Sequence, residues 1–292
     1  MSVALENKGT VKNYLSLIKF SHTIFAMPFA MIGFFLAVQY EQKPFQLKLL
    51  LLVVLCMVFA RSAAMAFNRW LDEKFDKLNP RTAQREIPAG IISRKNALVF
   101  VMLNSVLFVA TTWFINTICF YLSPVALFVI LFYSYTKRFT ALCHLVLGVG
   151  LSLAPIGAYL AVTGYFSWLP LLFSAAVITW VSGFDIIYAL QDEGFDRSQQ
   201  LHSIPTALGR RGALNVSNLL HIFSALSVIA AGYLATLNWL YWVGVLVFVA
   251  CLVYQHILVK PDDLSKVNIA FMTMNGIASV VFAVLVIASL YI

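Results

Sequence analysis

Long runs of apolar residues, separated by short polar segments, dominate the chain. Nine of these runs approach the roughly 20 residues that an α-helix needs to cross a hydrocarbon core of about 30 Å. Strand-like alternation of apolar and polar positions is absent, so helices must satisfy the backbone hydrogen bonds in lipid. The predicted spans are about 22–39, 47–67, 96–115, 118–136, 141–161, 168–190, 212–234, 237–258 and 268–291.

Composition agrees with this pattern. The chain of 292 residues is 61% hydrophobic and 11% charged, with a mean hydropathy of +0.87. This content of apolar side chains is larger than the core of a soluble protein of the same length needs. No linker or shift in composition divides it, so residues 1–292 are predicted to form one domain. The predicted fold is therefore an all-α integral membrane protein, with nine transmembrane helices around a central cavity.

The distribution of positive charge predicts an orientation. The N-terminal tail, beginning with Lys8, and every second connection after it carry 17 of the 20 Lys and Arg residues. Since positive residues favour the cytoplasmic side, the N-terminus is predicted to be cytoplasmic and the C-terminus to lie on the opposite side of a cell membrane. The net charge of +8 is then explained by the Lys and Arg residues of the cytoplasmic loops, and it does not indicate a nucleic-acid partner.

Acidic residues are rare in this chain and are concentrated in two segments. Eight of the 12 Asp and Glu residues lie at 72–86 and 185–196, at the ends of two apolar runs on the predicted cytoplasmic side. On a helix, the four-residue spacing of Asn68, Asp72 and Asp76 places them on one edge, as it does Asp192 and Asp196. Such clusters often mark only a solvated loop. Two of them together favour Mg²⁺ bound with a diphosphate, because Mg²⁺ prefers oxygen ligands.

A faint internal repeat links the two segments. Asn68, Asp72 and Asp76 correspond to Tyr188, Asp192 and Asp196, and a segment with Pro and Gly follows each set. This predicts two related halves that each deliver an acidic cluster to a shared site at the cytoplasmic face.

The amino-acid sequences of the two segments resemble motifs of a known family. The stretch at 68–90, NRWLDEKFDKLNPRTAQREIPAG, and the stretch at 185–209, DIIYALQDEGFDRSQQLHSIPTALG, are similar to the aspartate-rich signatures of the UbiA-type membrane prenyltransferases. Within the family, the likeness is greatest to the bacterial branch that acts on 4-hydroxybenzoate and to its menaquinone-pathway relatives. We refer to the two stretches as the first and second signatures.

The resemblance implies a Mg²⁺-dependent transferase of quinone biosynthesis that moves a polyprenyl group from polyprenyl diphosphate to an aromatic acid. It implies that Mg²⁺ is held by Asp72, Asp76, Asp192 and Asp196. Tyr133 and Lys137 are placed near the diphosphate. The basic residues around the clusters, Arg81, Arg85 and Arg197 among them, are expected to bind phosphate oxygens.

Further site residues follow from position. Asn68 stands where the motif of the resembled family places a polar helper, and it is expected to orient the metal shell or the aromatic substrate. Arg61 lies inside an apolar span, where an ionisable group indicates function; it either pairs with Asp185, receives the acceptor carboxylate, or reaches to the interface. Asp185 is expected to anchor Tyr133, Tyr188 or Arg61, or to help take the ring proton. The five histidines (His22, His144, His202, His221 and His256) are scattered, and only His202 is a candidate substrate contact.

Other functions stay open on the sequence. The acceptor is alternatively a dihydroxynaphthoate of menaquinone synthesis, a heme or a chlorophyll-type alcohol. A secondary transporter also carries intramembrane charge and repeats, but it places its ionisable residues near the midplane. A scaffold does not require two matched acidic clusters. The expected partners are polyprenyl diphosphate, the aromatic acid and the lipid bilayer, with no obligate protein partner.

Overall fold

The structure is a computed structural model that describes residues 10–19, 23 and 25–292. Lys8, His22 and the first residues of the first predicted span lie outside the described residues. The α-helices are α1 Thr10–Leu17, α2 Met27–Phe35, α3 Leu47–Leu71, α4 Glu73–Leu78, α5 Arg94–Trp113, α6 Thr117–Thr136, α7 Cys143–Thr163, α8 Trp168–Ala189, α9 Glu193–Ser198, α10 Ile204–Leu234, α11 Trp239–Leu258 and α12 Asn275–Ser289.

Eight helices in the described part of the chain are long and apolar enough to cross a membrane. They correspond to the second to ninth predicted spans, with α12 lengthened by the π-helical turns of Ile269–Met274. The first span is shorter, because α2 and the π-helical Leu36–Tyr40 together cover Met27–Tyr40. At 1.5 Å per residue this segment reaches about 20 Å, less than the hydrocarbon thickness. The count of nine is therefore not confirmed.

The core is built around α8, which packs against α7 and α10, while α3 packs against α5 and α11 against α12. Trp180 of α8 is fully buried, and its ring contacts those of Phe29 and Phe248 at centroid distances of 5.2 and 5.9 Å. Its indole Nε1 donates to Asn275 Oδ1 at 2.8 Å, so the polar atom of this large side chain is satisfied. These contacts join α2, α8, α11 and α12 into one packed body.

Two predicted boundaries differ from the structure. α3 continues to Leu71 rather than ending near 67, since Asn68 and Arg69 remain helical although they lower the local hydropathy. α10 begins at Ile204 rather than near 212, with a kink at Gly209, where φ is +66°. Glycine tolerates that dihedral because it has no Cβ. Both extensions bring signature residues into ordered helices at one end of the bundle.

Candidate functional site

Each aspartate signature folds in the same way. α3 ends at Leu71, the chain bends at Asp72, and the six residues of α4 follow. In the second signature, α8 ends at Ala189, a 3₁₀ turn spans Leu190–Asp192, and the six residues of α9 follow. Asp72 and Asp192 thus occupy the two bends, whereas Asp76 and Asp196 lie on the short helices.

The prediction of one continuous polar helix edge is therefore wrong in detail. The bends interrupt both helices, with Asp72 at φ −88° and ψ 3° and Asp192 at φ −102° and ψ 2°. Hydrogen bonding nevertheless continues across the first bend, because Asp72 N donates to Asn68 O at 2.9 Å and Asp76 N to Asp72 O at 2.8 Å. The bend turns the short helix while keeping the first-signature residues in successive turns.

Both signatures line one polar cavity of about 720 Å³. Thirteen of the fourteen predicted site residues border it, namely Arg61, Asn68, Asp72, Asp76, Arg81, Arg85, Tyr133, Lys137, Asp185, Tyr188, Asp192, Asp196 and His202. Arg197 is the exception. Its side chain is mostly exposed and binds Glu193 at 3.1 Å and the carbonyl of Thr206 at 3.4 Å. Arg197 therefore lies outside the cavity lining, and its predicted contact with substrate has no support in this arrangement.

Asp72 is buried and is held by three donors. Lys137 Nζ lies 2.7 Å from Oδ2, Arg138 donates to Oδ1 at 2.9 Å, and Asn68 Nδ2 donates to Oδ2 at 3.4 Å. Asn68 also donates to Ser134 Oγ at 3.5 Å. The end of α6 is thus tied to the first signature, in part through Arg138, whose contact with Asp72 the sequence did not predict.

Arg81 connects the two signatures. Its Nε donates to Asp192 Oδ1 at 2.9 Å, a second guanidinium nitrogen pairs with Oδ2, and a third donates to Tyr188 Oη at 3.1 Å. Asn79 Nδ2 also donates to Asp192 Oδ1, at 3.1 Å. Burial alone would lower the pKa of Arg81, but the hydrogen bonds and charge of Asp192 raise it. This cross-link makes the two halves of the site one electrostatic unit.

Asp76 and Asp196 retain free oxygen ligands. Arg85 donates to Asp76 Oδ1 at 2.8 Å, whereas Asp76 Oδ2 is buried without a hydrogen-bond partner. Asp196 takes part in no ion pair with any described residue. Within the described residues, no three acidic or histidine side chains converge into a ready-made metal site. The donor set fits Mg²⁺ chemically, although Lys and Arg pairs compensate three of the four carboxylates.

Asp185 has a partner that the sequence did not suggest. His144 Nδ1 lies 2.7 Å from Asp185 Oδ2, and the His144 side chain is buried. None of the three predicted anchors, Tyr133, Tyr188 and Arg61, is within hydrogen-bonding distance of Asp185 among the described contacts. The prediction of those anchors is wrong. The contact of His144 with Asp185 was not predicted, because His144 lies in an apolar segment without a recognisable motif.

Arg61 and Tyr133 lie at the junction of two cavities. They border the polar cavity and also a second, apolar cavity of about 400 Å³, which extends between α3, α6 and α7. Arg61 Nε is buried without a hydrogen-bond partner. A ligand with a charged head and a long apolar tail would therefore pass these two side chains on its way from the polar cavity into the apolar one.

A pair of carboxylates outside the cavity lining ties the short helices to the following long ones. Glu73 of α4 accepts from Lys77 at 2.7 Å and from Arg94 of α5 at 2.6 Å, and both interactions lower the pKa of Glu73. Glu193 of α9 accepts from Arg197 and from Arg210 of α10, both at 3.1 Å. The same arrangement recurs in both signatures.

Comparison with known proteins agrees with this geometry. A profile of the UbiA prenyltransferase family matches residues 26–277. The 4-hydroxybenzoate octaprenyltransferase of Tolumonas auensis is 30% identical over 82% of this chain and 84% of its own length. The enzyme of that name from Aliivibrio salmonicida is 32% identical over 80% of this chain and 81% of its own.

Solved structures share the fold. The apo structure of a UbiA homolog from Aeropyrum pernix K1 has a TM-score of 0.83 at 33% identity, covering 91% of this chain and 97% of that one. A UbiA homolog from Archaeoglobus fulgidus bound to GPP and Mg²⁺ has a TM-score of 0.77 at 19% identity, covering 96% and 100%. The match over most of the chain, together with the two signatures around one cavity, shows that this protein belongs to the UbiA prenyltransferase family.

Proposed function

We propose that this multi-pass membrane protein transfers a polyprenyl group from polyprenyl diphosphate to an aromatic acid of the 4-hydroxybenzoate type, with Mg²⁺, in quinone biosynthesis. The observation that carries the proposal is the junction of the polar cavity with the apolar one at Arg61 and Tyr133. The charged head and the apolar tail of such a donor match the two cavities. The names of the 4-hydroxybenzoate octaprenyltransferases support the acceptor class.

Asp72, Asp76, Asp192 and Asp196 are the proposed Mg²⁺ ligands. When bound, Mg²⁺ neutralises the charge that develops on the leaving diphosphate. Lys137 and Arg138 compensate the charge of Asp72, while Arg81 compensates that of Asp192. We infer that Lys137 and Arg81, which both border the polar cavity, move from the carboxylates to phosphate oxygens when the donor and the metal bind.

The remaining cavity residues serve the acceptor and the cation. Arg61 is placed to receive the acceptor carboxylate, since its buried Nε lacks a partner. Tyr133 lies beside the path of the tail, where its ring can shield the allylic cation. Asn68, bound to Asp72, orients that carboxylate. In the reaction the allylic carbon–oxygen bond breaks, a carbon–carbon bond forms beside the ring hydroxyl, and the displaced ring proton is lost.

The direct test uses purified protein, a labelled polyprenyl diphosphate and Mg²⁺. We expect Mg²⁺-dependent prenylation of 4-hydroxybenzoate, abolished by chelation with EDTA. Asp72→Ala and Asp192→Ala should each lower turnover by at least about 100-fold. The matched control Asp262→Ala, at an exposed residue that does not line the cavity, should leave turnover unchanged. Full activity in both site variants would overturn the proposed metal ligands.

A second acceptor is the main alternative. A dihydroxynaphthoate carries the same hydroxyl and carboxylate on a larger ring system, and the polar cavity of about 720 Å³ has room for it. Competition between the two acids in one reaction, read as the ratio of kcat/KM values, decides between them. A ratio that favours the naphthoate by tenfold or more would move the protein to the menaquinone pathway.

The orientation is also proposed from charge. The signature end carries most of the Lys and Arg residues, so we place it and the N-terminus on the cytoplasmic side of the inner membrane, with the C-terminus opposite. Labelling of a cysteine introduced at Lys74 or at Lys43 by a membrane-impermeant reagent tests this. In intact cells only the Lys43→Cys variant should react.

A further inference from the structure

His144 links two parts of the second signature, Asp185 and Ile204, through its two ring nitrogens. Its Nδ1 lies 2.7 Å from Asp185 Oδ2, and the backbone N–H of Ile204 donates to its Nε2 at 3.3 Å. His144 is on α7, Asp185 on α8 and Ile204 at the start of α10. Three helices therefore meet at one imidazole, whose side chain is only 4% exposed.

The start of α10 determines which nitrogen carries the proton. Ser203 caps this helix, accepting from Thr206 N at 3.3 Å, and Pro205 has no N–H to offer. The N–H of Ile204 is thus a free donor of the first turn, and His144 Nε2 accepts it. Because Nε2 is an acceptor, the proton lies on Nδ1, which donates to Asp185.

This contact distinguishes Asp185 from the other cavity carboxylates. Lys and Arg side chains hold Asp72, Asp76 and Asp192 as ion pairs. Asp185 is held instead by an imidazole N–H. This hydrogen bond fixes the direction of the carboxylate but does not cancel its negative charge. Its side chain is 26% exposed on the cavity wall, so a carboxylate oxygen remains available to a ligand.

We propose that His144 is a positioning residue that aims Asp185 at the hydroxyl group of the aromatic acceptor, so that Asp185 takes the hydroxyl proton as the ring attacks. This rests on the proposed function and deepens it. Removal of that proton raises the electron density of the ring carbon beside the oxygen. That carbon forms the new bond as the allylic carbon–oxygen bond breaks; the ring then loses its hydrogen as a proton, and Asp185 returns a proton to the oxygen. One proton leaves with the diphosphate.

The test compares substitutions that differ in the position of the donor. In His144→Asn the amide N–H takes the place of Nδ1–H, in His144→Gln it takes the place of Nε2–H, and in His144→Leu it is lost. We expect His144→Leu to lower kcat by about 10- to 100-fold with the KM of the polyprenyl diphosphate unchanged. Asn should recover most of the loss and Gln little of it. His256→Asn, at a histidine that does not line the cavity, is the matched control.

A second measurement covers the case in which one variant folds poorly. With 3-fluoro-4-hydroxybenzoate the hydroxyl is more acidic and needs less help from Asp185. The ratio of wild-type to variant kcat should therefore be several-fold smaller with the fluorinated acceptor than with 4-hydroxybenzoate, in whichever variant is folded. Equal ratios, or equal losses in Asn and Leu, would overturn the role of His144. Absence of turnover by the wild-type protein with either acceptor would instead refute the proposed function.

Discussion

At the scale of single residues, the cavity is organised by how each charge is compensated. Asp72 has Lys137 and Arg138, and Asp192 has Arg81, whereas Arg61 lies deeper with its Nε unsatisfied. A buried donor without a hydrogen-bond partner is costly, and a ligand carboxylate bound to the Arg61 guanidinium would relieve that cost. The imbalance is local, so it predicts a specific ligand group at Arg61.

Arg61→Met should therefore weaken binding of acids more than of neutral analogues. We expect its KM for 4-hydroxybenzoate to rise about tenfold or more, because a charged hydrogen bond contributes roughly 1.5–3 kcal/mol. The KM for 4-hydroxybenzamide should change little. Steady-state kinetics with both acceptors measures the difference, and Lys48→Met on the same helix is the control. Equal increases in KM for both acceptors would show that Arg61 does not bind the carboxylate.

Site residues could be predicted from the sequence where they belong to a motif. The four-residue spacings pointed to Asp72, Asp76, Asp192 and Asp196, and the structure places all four on one cavity. His144 was not predictable, since it contacts Asp185 41 positions away and its neighbours are apolar. Arg197 pairs with Glu193 four residues before it and does not border the cavity, and spacing alone did not reveal on which face of the short helix it lies.

At the scale of helices, α4 and α9 determine where the second aspartate of each signature points. Each has only six residues, too few to be stable alone. Glu73 anchors α4 to α5 through Arg94, and Glu193 anchors α9 to α10 through Arg210. We therefore expect these glutamates to act on metal affinity through the position of Asp76 and Asp196.

Glu73→Gln should raise the Mg²⁺ concentration for half-maximal activity several-fold, while turnover at saturating Mg²⁺ recovers. Glu193→Gln should do the same through the second signature. A Mg²⁺ titration of initial rates measures this, and Asp262→Gln, outside both signatures, is the control. Arg94→Gln combined with Glu73→Gln should be no worse than either alone if the two side chains act as one contact.

The pH dependence of this anchor follows from its lowered pKa. Lys77 and Arg94 lower the pKa of Glu73, so the contact is complete above the ordinary glutamate pKa of about 4.3 and is lost as pH falls through the lower folded value. The Mg²⁺ requirement of Glu73→Gln and wild type should therefore differ at neutral pH. An identical Mg²⁺ requirement at neutral pH would contradict this account of the anchor.

A buried polar network supports the π-helical turns before α12. Asn275 accepts from Trp180 Nε1 at 2.8 Å and from Gln255 at 2.9 Å, and it donates to the carbonyl of Phe271 at 2.9 Å. Asn275→Leu would leave these groups unsatisfied in an apolar core, at a cost of about 1–3 kcal/mol each. We expect a clear fall in Tm in detergent. Asn104→Leu, which removes only one local bond to Phe100, should cost less.

At the scale of the whole molecule, hydropathy predicted the helices but not the cavities. Eight of the nine predicted spans correspond to long apolar helices, because a span depends on composition within one window. The cavities depend on how distant helices pack: Arg61 of α3, Tyr133 of α6 and Leu147 of α7 border both of them. Contacts of that kind leave no periodic trace in the sequence, so the residues that line the two cavities could not be predicted from it.

The apolar cavity makes a prediction about donor length. Ala126 lies on its wall, seven residues along α6 from Tyr133, which is about 10 Å further from the polar cavity. Ala126→Phe would fill the passage there. We expect nearly normal turnover with geranyl diphosphate and a loss of about tenfold or more with an octaprenyl donor, because only the longer tail must pass the new ring.

Leu127→Phe is the matched control, since Leu127 is the next residue of α6 and does not line either cavity. It should leave the preference between the two donors unchanged. The measurement is the ratio of kcat/KM for the octaprenyl and geranyl donors in each variant. An unchanged ratio in Ala126→Phe would mean that the tail leaves the protein before this point, between helices and into lipid, and the apolar cavity would then hold only the first isoprene units.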